Sequence, residues 1–320
     1  AMRIVHDLTQ ARPTAPSYVT IGVFDGVHRG HQQLITRMVE AARSTRGAAI
    51  AVTFDPHPAK TLGRESPPLL TTLEERVDLL GALGLDALVV LPFTQATART
   101  TATDFVEALN HHLDLAELWG GTDFALGYRC EGDIPFLQRL GARRGFTVHV
   151  VEPLVWEGAL VNSSRVRSAL EAGDIPQATG CLGRAYRLAG TVIHRQWQTG
   201  RIGVDMAEIA PPSERLIPAS GAYACLARSE HHGTHTAVTY ISTRTAPGGG
   251  SGEHVQTIEA HMLDFDAELY GQVVTLDFIA RLRGKRTFPT PDAPGEQTRD
   301  DIAQARAILG SSGVGGGHTA

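Results

Sequence analysis

Eleven residues, Ile21-Gly22-Val23-Phe24-Asp25-Gly26-Val27-His28-Arg29-Gly30-His31, constrain this chain more than any other stretch. An apolar segment from Tyr18 to Val23 runs into a glycine-bearing turn. The turn carries Asp25, and His28 and His31 follow three residues apart. Beyond them Leu34, Ile35, Met38, Val39 and Ala42 recur at helical spacing. The histidines therefore stand where a strand ends and a helix begins. Such a junction offers unpaired backbone N–H groups and the positive end of a helix dipole, which favour anions and phosphates above all. Two histidines three apart in the first turn share a face and can grip one phosphate together. A metal site built from Asp25, His28 and His31 is the rival reading. Zinc usually takes further His or Cys ligands, and no other cluster with metal spacing occurs.

The segments around this turn alternate. Ala48 to Phe54, Leu85 to Phe93, Leu115 to Trp119 and Phe146 to Val151 read as strands. Residues 30–46, stopped by Gly47, read as a helix, as do Thr72 to Leu83, Asp104 to Leu113, Ile134 to Arg144 and Arg165 to Ala172. Thr71 or Thr72 is placed to cap the second of these, with Glu74 or Glu75 in its first turn. Alternation of this kind predicts a parallel sheet with helices on both faces, a Rossmann-like α/β domain. Ligands bind beyond the carboxyl ends of such strands, where the glycine-, Asp- and His-bearing turns fall.

Near residue 184 the grammar changes. Leu188 to Ile193, Ala222 to Arg228, Thr236 to Ile241, Val255 to Phe265 and Gln272 to Leu282 read as short strands separated by Pro- and Gly-rich turns. This predicts an antiparallel barrel or sandwich. Arg299 to Leu309 closes it as a helix, and residues 311–320 read as a flexible tail. The expected domains are thus residues 1–184 and 185–310.

A net charge of −5 leaves no basic footprint for nucleic acid, and no window resembles a membrane span. Three cysteines far apart (Cys130, Cys181 and Cys225) fit buried thiols in a reducing cytoplasm. Oligomeric state is left open, a homo-oligomer included.

A second motif lies at Val161-Asn162-Ser163-Ser164-Arg165-Val166-Arg167. Hydroxyls at a helix N-cap followed by arginines make an anion cradle, although Ser-Ser before a helix is commonly only a cap. With the histidine turn, one cradle could hold the α-phosphate of a nucleotide and the other its β- and γ-phosphates. Five stretches now combine: GVFDGVHRGHQQL, TFDPHP, LLTTLEER, DFALG with Gly132-Asp133 after it, and NSSRVRSALEAGDI followed by CLGRAY. In order and spacing they resemble the bifunctional prokaryotic riboflavin kinase/FMN adenylyltransferases. The resemblance implies transfer of AMP from ATP to the phosphate of FMN, giving FAD and pyrophosphate, with Mg²⁺. It implies that His28 and His31 contact the ATP phosphates, while Gly22, Phe24, Asp25 and Gly30 shape the nucleotide pocket. Ser163, Ser164 and Arg167 would hold the departing phosphates, with Asn162 and Ser164 standing where the family often has Ser and Thr. Phe54, Pro56, His57, Asp123 and Phe124 would lie towards the flavin.

The C-terminal part also resembles the riboflavin kinase module, through Gly221-Ala222-Tyr223-Ala224 and the run from Ile258 to Gly271 that carries Glu259, at the family's catalytic glutamate, which implies a small six-stranded antiparallel barrel. Its active-site motifs depart. Where the family has a glycine-rich loop and then P-T-A-N, this chain has His194 to Val204 and then Asp205-Met206-Ala207-Glu208. Without Thr and Asn the family's metal ligands are missing, and fewer glycines leave less backbone to wrap phosphates. Riboflavin phosphorylation is therefore expected to be lost or impaired. Asp205 or Glu208 as replacement Mg²⁺ ligands in a fully bifunctional enzyme is an alternative. Others are a nucleotidyltransferase acting on a modified flavin or another phosphorylated metabolite, and a non-catalytic flavin- or nucleotide-binding regulator.

Overall fold

A computed structural model describes residues 2–196, 205–245, 254–285 and 293–311. It divides into two compact units, residues 1–163 and 164–320.

The first unit is built on six parallel strands: β1 (Arg3–Val5), β2 (Ser17–Ile21), β3 (Ala48–Asp55), β4 (Ala87–Pro92), β5 (Leu115–Gly121) and β6 (Thr147–Val151). Their spatial order is β1-β4-β3-β2-β5-β6. Between them run α1 (Leu8–Ala11), α2 (Arg29–Thr45), α3 (Pro58–Thr61), α4 (Leu73–Gly81), α5 (Gln95–Arg99), α6 (Ala102–Leu113) and α7 (Ile134–Arg144). A small hairpin of β7 (Val155–Trp156) and β8 (Ala159–Leu160) follows. Every residue of β2 is buried, as a central parallel strand covered on both faces requires. Its side chains alternate between two cores. Val19 and Ile21 join Ile50, Val52 and Val89 against Val106 and Leu109 of α6 and Leu137 of α7. Tyr18 joins Ala49, Ala51 and Leu88 against Ile35 and Met38 of α2 and Leu80 of α4.

Sheet order decides where a ligand can sit. From β2 the chain builds outward through β3 and β4, then returns to place β5 on the other side of β2. The loops leaving β2 and β5 thus part in opposite directions, which opens a crevice at their carboxyl ends.

The expected stop of α2 needs correcting. Arg46, not Gly47, takes the left-handed cap conformation (φ 60°), and Gly47 N–H returns to the Ala42 carbonyl at 2.8 Å. Gly47 is small for another reason: a Cβ there would come within 2.6 Å of the Tyr18 ring. Helix α4 begins with the full capping box, Thr72 and Glu75 each bonding the other's backbone N–H.

The second unit opens with α8 (Ser163–Ala172) and α9 (Ile175–Leu182), followed by β9 (Tyr186–Gln196), β10 (Met206–Ala210), β11 (Gly221–Ser229), β12 (Gly233–Thr245), β13 (His254–Met262) and β14 (Val273–Gly284). The strands close an antiparallel barrel in the order β10-β13-β12-β11-β14-β9. Two of these elements, α9 and β10, go beyond the sequence expectation. Along β11 the pleat sends Ala224 and Leu226 outward, where Ala305 and Leu309 of α10 (Ala293–Ser311) cover them. Tyr223 and Cys225 point inward, and the Tyr223 ring meets Phe278 edge to face at 5.3 Å. Helix α10 is held by a forked ion pair, Arg283 Nε to Asp301 Oδ1 at 3.0 Å and Nη2 to Oδ2 at 2.8 Å. It is longer than expected at both ends; the rest of the expected tail, residues 312–320, lies outside the described residues, as does the segment 197–204.

Among the described residues no helix is long and apolar enough to cross a membrane. Cys181 and Cys225 are buried, as expected, but Cys130 is exposed in a turn where it adopts a positive φ of 59°.

Candidate active site

After Ile21 the backbone stays on the sheet for one more step, Gly22 N–H donating to the Val52 carbonyl at 3.0 Å. It then makes a turn that few sequences tolerate. Phe24 (φ 53°), Gly26 (φ 79°) and Val27 (φ 38°) are all left-handed. For a bulky and a β-branched residue that costs roughly 1–3 kcal/mol each and persists only when the surroundings over-determine it.

Asp25 supplies much of that determination. Its Oδ1 accepts from the backbone N–H groups of Leu70 and Thr71, both at 3.0 Å, and from the Thr71 hydroxyl at 3.1 Å. The Thr71 hydroxyl in turn accepts Gly26 N–H at 3.0 Å, and Ser163 Oγ donates to the Asp25 carbonyl at 2.9 Å. Beneath the turn lies Arg76, only 4% exposed, whose Nη1 donates to the Val23 carbonyl at 2.7 Å, beside Thr53 Oγ1 at 3.2 Å. Burial lowers the pKa of this guanidinium, and Asp25, Asp55 and Glu74 pull it back up.

What the turn presents is a pair of imidazoles. His28 is the N-cap of α2, its Nδ1 accepting the His31 backbone N–H at 3.3 Å. The two rings stack with centroids 3.6 Å apart and planes 20° apart, and Phe24 sits edge-on to His31 at 5.3 Å. Because Nδ1 of His28 accepts, the neutral ring carries its proton on Nε2. Burial, then the neighbouring His28, push the pKa of His31 well below the ordinary 6.5, so that ring is neutral at pH 7. Among the described residues its buried Nδ1 has no hydrogen-bond partner. Gly30 leaves the rings their room: a Cβ would lie 3.1 Å from the His28 ring and 3.3 Å from the Val161 carbonyl.

The residues expected towards the flavin stand at or just beyond the ends of β3 and β5, the strands that flank β2. Phe54 lies near the end of β3, its ring edge-on to Phe93 at 5.2 Å. Pro56 and His57 follow, and His57 Nδ1 caps α3 by accepting Ala59 N–H at 3.2 Å. Asp123 and Phe124 follow β5. A Cβ on Gly120 would lie 2.6 Å from the Phe124 ring, which shows how closely that ring lies on the strand. Asn162 precedes α8, and Ser164 and Arg167 stand in its first turns. Glu259 lies on β13 in register with Tyr240 on one side and Glu208 of β10 on the other.

Sequence reasoning missed Arg76, Thr71 and Thr53. Thr71 had been weighed only as a helix cap; that role belongs to Thr72. Arg76 did leave a signal. Leu73, Arg76, Val77 and Leu80 recur on one face of α4, so an arginine stands within an apolar stripe.

A model of the FAD synthetase family matches residues 10–165, and a riboflavin kinase model matches residues 182–309. The bifunctional riboflavin kinase/FMN adenylyltransferase of Pseudomonas fluorescens is 33% identical over 313 residues, covering 97% of this chain and 99% of that protein. The Escherichia coli (strain K12) protein of the same name is 30% identical, with 97% of each chain covered. The chain belongs to the bifunctional riboflavin kinase/FMN adenylyltransferase family. It is a nucleotidyltransferase and carries both domains of that family, whose substrates are ATP and flavins. A crystal structure from Streptococcus pneumoniae, described as a macrolide-efflux protein, shares the fold at a TM-score of 0.85, with 23% identity over 95% of this chain and 98% of that one.

The turn from Gly22 to His31 carries the stacked pair of His28 and His31. Asp205 and Met206 line a cavity with Met262, Phe265, Leu269 and Tyr270. His261 Nδ1 lies 2.8 Å from the Asp205 carbonyl.

Proposed function

We propose that this chain makes FAD by transferring AMP from ATP to FMN, and that its phosphorylation of riboflavin is lost or severely impaired. The observation that carries the first half is the stacked His28–His31 pair, held on a strained turn at the crevice beside β2. The second half rests on the sequence resemblance, which sets Met206 and Glu208, both in β10, where the kinase module has Thr and Asn.

Adenylyl transfer needs no protein nucleophile. A phosphate oxygen of FMN attacks the α-phosphorus of ATP, the bond to the bridging oxygen breaks, and pyrophosphate leaves. Catalysis is then positioning and charge stabilisation. His28, with its proton on Nε2, donates to the phosphates. Neutral His31 contributes a second ring without adding a buried charge. Asp25 shapes the pocket through the backbone it clamps. Ser164 and Arg167 hold the departing pyrophosphate. The Ser163 hydroxyl donates to Asp25, so Ser163 contributes through the N–H groups at the start of α8. Phe54, Pro56, His57, Asp123 and Phe124 form the flavin side.

Mg²⁺, when bound, neutralises developing phosphate charge. Among the described residues no group of three or more His, Cys, Asp or Glu could cage it, and Asp25 is engaged by three donors. This donor set fits an ion that arrives on the phosphates of ATP and keeps mostly phosphate and water ligands.

Incubation with ATP and Mg²⁺ and either FMN or riboflavin, followed by chromatography, tests both halves. FAD is expected from FMN, with little FMN from riboflavin. FMN appearing at a rate near that of adenylyl transfer would overturn the second half.

One observation favours a second reading, a bifunctional enzyme with an altered kinase site. Glu208 lies directly across from Glu259 in the β10–β13 register, and two carboxylates beside substrate phosphates suffice for Mg²⁺. On this reading riboflavin is phosphorylated, and Glu208→Gln abolishes it.

A further inference from the structure

We infer that a cleft at the amino ends of the first unit's strands, rimmed by Arg3, Arg12 and Arg46, binds a small organic phosphate. The site lies within the first unit, at the opposite end of the sheet from the histidine turn that follows β2.

The cleft holds about 310 Å³, at the lower end of the range for small-molecule sites, roughly 300–1,000 Å³. Three separate segments bring arginines to it: Arg3 opens β1, Arg12 follows α1 and Arg46 follows α2. Asp86, just before β4, is the one carboxylate in the lining, and its Oδ2 already accepts Ala49 N–H at 2.8 Å. Three positive charges thus face one negative, on a chain whose net charge is −5. Among the described residues none of the three arginines has an ion-pair partner, and their one side-chain hydrogen bond is Arg12 Nε to the Thr9 carbonyl at 3.4 Å. Guanidinium forks match the oxygens of a phosphate, and more than one is needed to balance a dianion. Between the arginines Pro13, Ala48, Ile50 and Ala87 form an apolar wall. A bare ion would leave that wall uncovered, whereas the organic part of a phosphate ester lies against it.

Two of these arginines stand where glycine is the favoured residue. Arg12 (φ 35°) and Arg46 (φ 60°) are both left-handed, a conformation that glycine adopts freely and a side chain resists. Helix capping gives no reason for arginine at either place. Helix α1 is only four residues long and has little dipole, and α2 already carries Arg43 in its last turn. What both positions keep, despite the strain, is a guanidinium group at the cleft.

Isothermal titration calorimetry of the full chain with phenyl phosphate tests this. One molecule should bind per chain, with the same affinity in the presence and absence of saturating FAD, and inorganic phosphate should bind several-fold more weakly. Arg12→Gly combined with Arg46→Gly should weaken phenyl phosphate by at least about tenfold. The same variant should melt at or above the parent's temperature, because the strain is relieved, and should form FAD at the parent's rate. Arg3→Gln should weaken binding several-fold. If the glycine pair melts well below the parent or does not fold, Arg12→Gln combined with Arg46→Gln is held to the same binding outcome. No binding by the parent up to about 10 mM, competition with FAD, or unchanged affinity in a folded double variant overturns the inference.

Discussion

His28 caps the helix on which His31 rides: its Nδ1 accepts the His31 N–H at 3.3 Å while the two rings lie stacked, centroids 3.6 Å apart. One side chain thus orients a neighbour and fixes its own tautomer. His28→Ala removes a cap worth about 1 kcal/mol and a phosphate donor worth about a hundredfold in rate. His31→Ala should show a comparable loss of FAD formation. Thermal melts beside FAD assays check this, the expected pattern being a small change in melting and a large one in turnover. Either variant retaining full adenylyl transfer would remove the histidine pair from the mechanism.

The depressed pKa of His31 ties stability to pH. In the unfolded chain the ring takes a proton near pH 6.5, whereas the folded ring resists it until lower pH. The unfolded state then binds more protons, so stability falls as pH drops below about 6.5, towards the depressed folded value, and is fully present above. Urea unfolding at several pH values should show a shallower decline in His31→Asn than in the parent. Parallel pH profiles for the two would contradict the assignment.

Arg76 and Asp25 brace the same turn from two sides. Arg76→Met leaves the Val23 carbonyl short of a donor and Asp25 without its buried cation. We expect a loss of about 3 kcal/mol in the first unit, with FAD formation falling too. A double-mutant cycle with Asp25→Asn should give a coupling of about 1–3 kcal/mol. Additive effects in urea unfolding would show that the two act independently.

Gly120→Ala places a Cβ where the Phe124 ring now lies, so the ring must move. If Phe124 faces the flavin, the KM for FMN rises several-fold while the KM for ATP holds, at a stability cost of about 1–3 kcal/mol. Steady-state kinetics in both substrates read the difference; an equal change in both KM values would place Phe124 elsewhere.

Much of the fold was legible because periodicity is local. Leu34 to Ala42 announced α2, the apolar runs announced β2 to β6, and the loss of helical spacing after residue 184 announced an antiparallel second half, barrel or sandwich. Strand order was not legible, since it is a property of the whole sheet, and only that order places the Gly22–His31 turn at the crevice. Helix α9 escaped notice because eight residues with Thr179, Gly180 and Cys181 carry weak helical propensity, although Asp174 and Pro176 form a sound start. In the site, His28 and His31 stood out as residues of unusual type and spacing. Arg76 did not, because a lone arginine in a helix ordinarily faces water and its partner is the backbone of Val23, 53 positions away in sequence. Thr71 and Ser163 were visible as hydroxyls, yet their use as clamps on the Asp25 segment follows from tertiary contact alone.

The two compact units part between Ser163 and Ser164, inside a helix and not in a linker. A chain so divided has no natural seam. Cutting it at the point where composition changes, near residue 184, would leave α8 and α9 without the barrel that fastens them. Discarding the barrel would strip the end of α8 of two donors, Arg281 Nη1 on the Ala172 carbonyl and Ala219 N–H on the Leu170 carbonyl, each at 2.9 Å.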